Sequence, residues 1–290
     1  MDTRFLETFV TVVETGSLAE AGRRLSLTPT AIAQRLRALD DEFGVRLVVR
    51  SGRTVTPTEA GVAIADRSRR FLRELRDLKS LGMDEHPAGQ LRLGAVPTAI
   101  AGLLPDIMVR SGEAFPDLDI TVVPGLSTEL YAKTIGGELD MALIVQPHFP
   151  LPKTCGWKTL RVEPLMVLAP QRWSAEGPHG LLATRPFIRY GRQLWTGQLV
   201  DDYLRRVGIR PRERFALGTL DAIAVLVDRA LGVSLVPDWA RPWPESLSLA
   251  KLPLPDPSEP RRLGLVWARA SPRIRLIQAV LGQAHAQGPA

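Results

Sequence analysis

The sequence predicts an α/β protein in which a mainly helical N-terminal region is joined by a long helix to a larger region of alternating strands and helices. In residues 4–80 the apolar side chains recur at helical spacing. From residue 90 onward, short runs rich in valine, leucine and isoleucine alternate with helical segments, which is typical of βαβ units. The 290 residues are enough for two or three domains.

The segment from Ser26 to Gly44 has the pattern of a helix with an apolar back and a short polar front. Thr28 can accept hydrogen bonds from the free N–H groups of a new helix, and Pro29 suits its first position. The apolar face carries Ile32, Leu36, Leu39 and Phe43. The opposite face carries Thr30, Gln34, Arg37 and Asp41. Such a helix has the size and chemistry to lie in a DNA major groove.

Elements on both sides of this helix complete a winged helix-turn-helix pattern. A first amphipathic helix ends near Gly16, and residues 17–20 have the form of a capping box that opens a second, short helix. Residues 26–29 are then the turn. After Gly44, two short strands around Ser51 and Gly52 carry three arginines and no acid, namely Arg46, Arg50 and Arg53. A hairpin with guanidinium groups suits phosphates or the adjacent minor groove.

Several short motifs occur in a fixed order in this region: Arg37-Ala-Leu-Asp40, Phe43-Gly-Val-Arg-Leu47 and Thr58-Glu-Ala-Gly61. With them, residues 4–61 resemble the DNA-binding domain of LysR-type transcriptional regulators. The family usually has Gln-Pro-Ala-Val-Ser where this chain has Pro29-Thr-Ala-Ile-Ala33, so a base-reading glutamine is absent at position 29 and Ala33 replaces a hydroxyl. The predicted DNA-binding residues are Thr28, Pro29, Thr30, Gln34, Arg35, Arg37, Arg50, Arg53 and Thr54.

A long helix is predicted from Thr58 and Glu59 to about Leu81. A four-three alternation typical of a short coiled coil is formed by Ile64, Ser68, Phe71, Leu75 and Leu78. The alternative is a helix packed on its own domain. The resemblance favours pairing of two chains, because family members dimerise through this helix and commonly form tetramers. Residues 82–89 are predicted to be a hinge.

The remaining sequence predicts two α/β subdomains. Strands are predicted at residues 91–96, 119–123, 140–145, 165–168, 187–190, 214–217, 232–236 and 263–267. Helices are predicted at residues 97–115, 127–135, 194–207, 221–231 and 274–285. The predicted domains are residues 1–58, 59–86 and 87–290, and the last divides into a first subdomain (90–163 and 264–290) and a second (164–263).

Motifs such as Gly89-Gln-Leu-Arg-Leu-Gly94, Gly137-Glu-Leu-Asp140 and Leu231-Gly-Val-Ser-Leu-Val-Pro237 resemble the LysR-type effector domain. The resemblance implies two subdomains, as in periplasmic solute-binding proteins, with a small ligand in the cleft between them. Ligands in open α/β sheets lie outside the carboxyl ends of strands. The candidate effector-binding residues are therefore Pro97, Thr98, Ala99, Ser127, Thr128, Gln146, Tyr190, Thr219 and Leu220. Each serine or threonine has helix capping as its alternative role.

Charge and composition favour an anionic partner and argue against catalysis. The formal net charge is +6, and Arg189 and Arg192 suggest an anionic effector such as a carboxylate. The single cysteine, Cys155, excludes an internal disulfide framework and indicates a reducing compartment; we expect a partly buried, unreactive thiol. The four histidines lack metal-ligand spacing, so no metal, cofactor or catalytic residue is predicted.

The predicted function is a cytoplasmic, ligand-responsive transcriptional regulator that binds promoter DNA and a second copy of itself. No apolar run reaches the ~18 residues of a transmembrane helix, and the N-terminus lacks the apolar core of a signal peptide. RNA polymerase is a candidate partner, and a membrane is not. Two alternatives stay open: an architectural DNA-binding protein without a ligand, and an enzyme or solute-binding module that carries the helix-turn-helix as an appendage.

Overall fold

The computed structural model describes residues 2–51, 54–80, 87–239 and 246–285. The chain divides into two compact units, Met1–Glu85 and His86–Ala290. The first contains the predicted helix-turn-helix and long helix, and the second contains the alternating strands and helices. Each has its own hydrophobic core, so each is described by itself.

Unit 1 begins with three helices whose ends are set by capping. They are α1 (Thr3–Thr15), α2 (Leu18–Leu25) and α3 (Pro29–Phe43). The Ser17 side chain accepts a hydrogen bond from the Glu20 N–H at the start of α2, and Thr28 accepts one from the Ala31 N–H at the start of α3. Gly44 ends α3 in the left-handed conformation. The predicted order of helix, helix, turn and recognition helix is confirmed.

The core of unit 1 is formed by the apolar back of α3 and the facing sides of the other helices. Ile32 and Leu39 of α3 and Phe9 of α1 are completely buried. Burial of each such side chain stabilises the unit by about 1.5–3 kcal/mol relative to exposure. Phe43 was predicted for the same face, but it is the last residue of α3 and is 38% exposed.

A two-stranded wing and a long helix follow α3. They are β1 (Val48–Ser51), β2 (Thr54–Pro57) and α4 (Glu59–Ser80). The strands are antiparallel, as predicted. The Thr58 hydroxyl donates to the Arg46 carbonyl oxygen and accepts from the Gly61 N–H, which ties the base of the wing to the start of α4. A Cβ atom at Gly61 would lie 1.9 Å from the Leu47 carbonyl oxygen, so this close approach requires glycine.

One side of α4 packs on its own unit. Ser68 is 5% exposed, and Ile64 and Leu72 pack against the core of unit 1. Ile64 and Ser68 were predicted to belong to a coiled-coil seam. They pack within their own unit instead, which was the alternative to that prediction. Among the side chains of α4 that the structure describes, the large apolar ones that are exposed are Phe71 (42%) and Val62 (51%). Both are available to a partner.

Some predicted features lie outside the described residues. They include Arg53 at the tip of the wing, the side chain of Leu78, and residues 81–86 of the predicted hinge.

The first subdomain of unit 2 is built on a five-stranded sheet. Its strands are β3 (Gly89–Ala95), β4 (Leu118–Pro124), β5 (Met141–Val145), β6 (Cys155–Glu163) and β12 (Arg261–Ala268). The order is β4-β3-β5-β12-β6, with β3, β4 and β5 parallel as predicted and with β12 antiparallel to both β5 and β6. Strand β6 was not predicted, because the buried charged residues Arg161 and Glu163 interrupt its apolar pattern.

Four helices cover this sheet. They are α5 (Pro97–Gly102), α6 (Leu104–Ala114), α7 (Ser127–Ile135) and α11 (Ile274–Gln283). The prediction of one helix over residues 97–115 is wrong, since α5 and α6 are separate helices that meet at Leu103. Pro105 explains the break: it has no N–H to bond the Ala101 carbonyl, and its ring would clash with that carbonyl in a continuous helix.

The second subdomain has a three-stranded sheet and a two-stranded sheet. Its strands are β7 (Leu165–Pro170), β8 (Pro186–Tyr190), β9 (Arg212–Leu217), β10 (Ser234–Pro237) and β11 (Leu249–Pro253). Its helices are a 3-10 helix (Gln171–Glu176), α8 (Pro178–Thr184), α9 (Trp195–Arg206) and α10 (Leu220–Asp228). The strand orders are β10-β7-β11 and β8-β9. Strand β11, helix α8 and the 3-10 helix were not predicted.

The chain crosses between the subdomains twice. It leaves the first sheet after Glu163, at the end of β6, and returns at Arg261, at the start of β12. The return is earlier than the predicted change at residue 264, because residues 261–263 already pair with β6. Within the described part of the chain, no helix is long and apolar enough to cross a membrane.

Candidate functional site

The first candidate site is the polar front of α3. Thr30, Gln34 and Arg37 are exposed there, while Ile32 and Leu39 on the opposite face are buried in the core. The first-turn residues of the helix that were predicted to meet DNA, Thr28 and Pro29, are also exposed. A helix anchored on one side and free on the other can present these side chains to base edges in a major groove.

Arg35 does not join this exposed face. Its Nη1 donates to the Thr8 hydroxyl of α1 at 3.0 Å, and its guanidinium carbon lies 5.7 Å from the centroid of the Phe5 ring. The side chain is half-buried. A cation held over an aromatic ring and hydrogen-bonded to a neighbouring helix stabilises the packing of α1 on α3. Arg35 therefore orients α3 in this structure.

The wing supplies exposed cations beside α3. Arg46 and Arg50 are exposed, and Arg50 lies opposite Val55 in the hairpin. Thr54, also predicted to contact DNA, is exposed at the start of β2. The Asp40 carboxylate, for which no role was predicted, accepts a hydrogen bond from the Leu47 N–H at 2.9 Å. This hydrogen bond fixes the approach to the wing relative to α3, which explains an acid within the Arg-Ala-Leu-Asp motif.

The second candidate site is the edge of the first sheet at which the two subdomains join. Ala95, at the end of β3, lies beside Leu143 of β5, and Arg261, at the start of β12, lies opposite Glu163 at the end of β6. Because β12 runs antiparallel to β5, its start lies at the carboxyl end of the parallel strands. This is the position where open α/β sheets bind ligands.

A buried cluster of charged side chains lies at this edge. Glu163 Oε2 accepts from Arg261 Nε at 2.6 Å, and Glu163 Oε1 accepts from Arg161 Nε at 3.2 Å. The exposed fractions are 0% for Glu163, 1% for Arg261 and 4% for Arg161. Arg261 Nη2 pairs with the same Glu163 Oε2 at 2.5 Å and lies 3.4 Å from the Thr98 hydroxyl. The cluster thus connects both chain crossings to a predicted effector-binding residue.

Tyr190 of the second subdomain is affected by the charges of this cluster. It ends β8 and is 7% exposed. Burial raises the pKa of the Tyr190 hydroxyl, the positive charge of Arg261 lowers it, and the negative charge of Glu163 raises it. The roles of Arg161, Glu163 and Arg261 were not predicted from the sequence. The Arg-x-Glu spacing at 161–163 was the available signal, but it indicates a buried pair only once β6 is recognised as a strand.

The other predicted effector-binding residues differ in how accessible they are. Pro97, Thr128 and Thr219 are exposed, and Thr98 and Gln146 are half-buried. Ala99 (0% exposed) and Leu220 (2%) lie in the cores of the first and second subdomains, so their side chains serve packing. Thr98 therefore contacts the charged cluster, whereas Ala99 and Leu220 are core residues.

Ser127 has a role that the sequence did not predict. It was expected to cap α7, but the N-cap position is Leu126 and has no side-chain hydrogen bond. The Ser127 hydroxyl accepts from the Val145 N–H at 3.1 Å, where β5 ends. Its hydroxyl oxygen is therefore used to join the start of α7 to the end of β5.

Arg189 and Arg192 do not form an anion site. Arg189 donates to Asp201 at 2.7 Å and to Glu213 at 2.6 Å, and Arg192 pairs with the same two carboxylates. The hydrogen bond from Arg189 is the main reason that the pKa of Glu213 is lowered. These carboxylates already neutralise the two guanidinium groups, so the expectation that Arg189 and Arg192 select an anionic effector is wrong.

Aromatic side chains connect the two subdomains at another point. Trp195 of α9 meets Tyr131 of α7 and Phe149 at ring-centroid distances of 6.3 and 6.0 Å, in edge-to-face geometry. His148 Nε2 donates to the Trp195 carbonyl oxygen at 2.7 Å. Trp195 is buried in the core of the first subdomain although its helix belongs to the second. The subdomains are thus held together by aromatic packing as well as by the charged cluster.

Cys155 is a free, buried thiol at the start of β6, more deeply buried than predicted. In the part of the chain that the structure describes, no group of three His, Cys, Asp or Glu side chains is arranged to hold a metal ion.

Comparisons with known proteins cover both units of the chain. Residues 3–62 match the family model described as "Bacterial regulatory helix-turn-helix protein, lysR family". Residues 84–289 match the model described as "LysR substrate binding domain". The chain is similar to the HTH-type transcriptional regulator IlvR of Caulobacter vibrioides, with 30% identity over 286 residues that cover 93% of each chain.

Solved structures share the fold. The probable transcriptional regulator PA0477 from Pseudomonas aeruginosa is similar at a TM-score of 0.72 and 23% identity, covering 97% of each chain. Full-length CbnR in complex with its target DNA is similar at a TM-score of 0.71 and 21% identity, covering 98% of this chain and 100% of that one. At these identities the likeness concerns the fold. The two family models and the IlvR match together establish that the chain belongs to the LysR family of transcriptional regulators, with an N-terminal helix-turn-helix DNA-binding domain and a C-terminal effector-binding domain.

Proposed function

We propose that this regulator recognises promoter DNA through Thr30, Gln34 and Arg37 of α3 and holds the phosphate backbone through Arg50 and Arg53 of the wing. The observation that carries the proposal is the two-sided burial of α3, with its apolar back in the core and these three side chains exposed. Amide and guanidinium groups can read base edges, whereas wing arginines contribute charge without reading sequence. CbnR, which shares this fold, has been solved with its target DNA.

The DNA-bound form is a homo-oligomer, with α4 as the pairing element. On α4 an open depression of about 490 Å³ is lined by Ala63, Asp66, Arg67, Arg70 and Phe71. Apolar and charged side chains side by side suit a second copy of the same helix. Two recognition helices on a pseudo-palindromic site multiply a modest affinity per half-site. A dimer or a dimer of dimers fits this requirement, and contact with RNA polymerase stays a prediction.

A small-molecule effector controls the DNA-bound state from the edge where the subdomains join. The proposal is supported by Thr98, which lies 3.4 Å from Arg261, by Gln146, which follows the end of β5, and by Tyr190, which ends β8. An effector can act only if it binds two arrangements of the subdomains with different affinity. The regulator needs no catalytic cofactor, and it is not an enzyme; its relative IlvR is named a transcriptional regulator. Because its target is promoter DNA, it acts in the cytoplasm.

The test is a fluorescence-anisotropy titration of the full-length protein against DNA from upstream of its own gene and against scrambled DNA, at two salt concentrations. We expect tighter binding to the upstream DNA at both. A second titration compares Arg50→Ala of the wing with Arg275→Ala, which removes an exposed arginine of α11 and is the control for the loss of one positive charge. Equal binding to both DNAs that disappears at moderate salt would favour an architectural protein and overturn the proposal.

A further inference from the structure

We propose that the hydrogen bond between Arg35 of α3 and Thr8 of α1 is a determinant of DNA sequence preference, although neither side chain reads a base. The two are positioning residues, because they set where the exposed front of α3 meets the base edges. The inference rests on the proposed function and deepens it, since it adds a completely buried residue of another helix to the groups that control recognition. It also replaces the direct DNA contact that was predicted for Arg35.

Arg35 lies on the flank of α3, between its buried back and its exposed front. The residue before it, Gln34, is exposed, and the residue after it, Leu36, is buried. Arg35 Nη1 donates to the Thr8 hydroxyl at 3.0 Å, and this hydroxyl donates its own proton to the Arg4 carbonyl oxygen at 2.8 Å. Thr8 is 0% exposed. The Thr8 hydroxyl is therefore used inside unit 1, and it can influence DNA binding only through Arg35.

The apolar contacts of α3 hold the helix on the core but do not fix its exact orientation. Ile32 and Leu39 are completely buried, yet apolar burial is non-directional, so it allows small rolls and shifts of the helix. A hydrogen bond from a guanidinium requires a particular distance and angle. A binding surface works only when it is held within about 0.5 Å and roughly 10–20° of its productive geometry. Loss of the Arg35–Thr8 bond therefore loosens the front of α3 while the apolar core stays in place.

Helix α1 also holds the wing, so it is the common frame for both DNA-contacting parts of unit 1. The Val55 N–H of β2 donates to the carbonyl oxygen of Gly16, the residue that caps α1, at 2.8 Å. Val55 lies opposite Arg50 in the hairpin. The Arg35–Thr8 bond therefore orients the recognition helix on the same helix that positions Arg50. Base edges and phosphates can be contacted together only when α3 has the correct orientation on α1.

The experiment measures the ratio of affinities for the upstream DNA and for scrambled DNA, by fluorescence anisotropy, in full-length variants that circular dichroism shows to be folded. Thr8→Val removes the hydroxyl that accepts from Arg35 and keeps nearly the same volume, so the ratio should fall about tenfold. Thr8→Ser keeps the hydroxyl and should keep the ratio. Thr11→Val is the matched control, because the Thr11 hydroxyl donates to the Glu7 carbonyl oxygen of its own helix, and it should leave the ratio unchanged.

Arg35→Met tests the other partner of the bond. The ratio should fall by about the same factor as in Thr8→Val, while the slope of log affinity against log salt stays at the wild-type value because no phosphate contact is lost. The double variant Thr8→Val/Arg35→Met should have the ratio of either single variant, since both changes remove the same hydrogen bond. A role in stability alone would lower the folded fraction available to both DNAs and leave the ratio unchanged.

Several outcomes would count against the inference. An unchanged ratio in folded Thr8→Val overturns it even if Arg35→Met does not fold. A salt slope that falls by about 0.9 in Arg35→Met also overturns it, because Arg35 would then hold a phosphate directly. If the wild type prefers the upstream DNA and both variants keep that preference, positioning is rejected and the proposed function stands. A wild type without any preference rejects the proposed function as well.

Discussion

The two units present their functional side chains in opposite ways. In unit 1 the candidate base contacts, Thr30, Gln34 and Arg37, are exposed residues of one helix, and their spacing along the chain already places them on a single face. In unit 2 the charged groups at the candidate effector site are buried, and Glu163 is paired with Arg261 across 98 positions of sequence. Local periodicity is therefore sufficient to find the first site, whereas the second exists only after the sheet has formed.

This difference predicts that removing a charge will have opposite consequences in the two units. An exposed arginine of α3 or the wing can be lost with little effect on folding, because water solvates its neighbours. Loss of one member of the buried cluster leaves a charged partner without water and without a counterion. Unfolding measurements on matched variants, supported by DNA titrations, test whether the contrast is real.

The largest effect is expected for Glu163→Gln. This change leaves Arg161 and Arg261 buried without their shared carboxylate, so we expect unit 2 to lose about 3–5 kcal/mol of unfolding free energy. Denaturant unfolding followed by far-ultraviolet circular dichroism measures it. The control is Glu176→Gln, which removes the carboxylate of an exposed pair with Arg185 and should change stability far less. A similar loss in both variants would mean that burial does not distinguish the two pairs.

The next largest effect belongs to the core of unit 1. Leu39→Ala removes a completely buried side chain from the back of α3, and we expect a loss of about 2–5 kcal/mol. Arg37→Ala, two residues earlier on the exposed face, should stay within about 0.5 kcal/mol of the wild type. Thermal unfolding of the two variants gives the comparison. Strong destabilisation by Arg37→Ala would show that the Arg37 side chain on the exposed face of α3 contributes to the stability of unit 1.

The contrast also explains what could be predicted from the sequence. Caps such as Thr28 and Gly44, and the wing hairpin, depend on residues a few positions apart, so they were predicted correctly. Strand β6 was missed because its inward positions include Arg161 and Glu163, which are recognisable as buried only with β12 beside them. The expectation for Arg189 failed for the same reason, since its partner Glu213 lies on another strand.

In DNA binding, Gln34 and Arg50 should separate reading of bases from contact with phosphates. Gln34→Ala should cost about 1–3 kcal/mol on the upstream DNA and little on scrambled DNA, since it removes a hydrogen bond to a base edge. Arg50→Ala should weaken binding to both DNAs and lower the slope of log affinity against log salt by about 0.9. Anisotropy titrations at several salt concentrations measure both effects. If both variants lose affinity equally on the two DNAs, this division of roles is wrong.

The smallest effect concerns the partly exposed pair of Arg189 and Glu213, whose strength should depend on pH. The hydrogen bond from Arg189 lowers the pKa of Glu213 below its ordinary value of 4.5, so folding favours the charged carboxylate. The pair therefore contributes its full stability above about pH 4.5, and this contribution is lost as the pH falls through the lowered pKa of the folded state.

Denaturant unfolding of the wild type and Glu213→Gln between pH 3 and pH 7 tests this dependence. The wild type should be more stable near pH 7, and the gap should narrow as the solution becomes more acidic than about pH 4.5. The gap should be small, because the Glu213 side chain is 36% exposed and water screens the pair. A gap of constant size over the whole range would mean that the Glu213 charge does not stabilise the fold. Arg189 would then be held mainly by Asp201 and by its contact with the Phe187 ring.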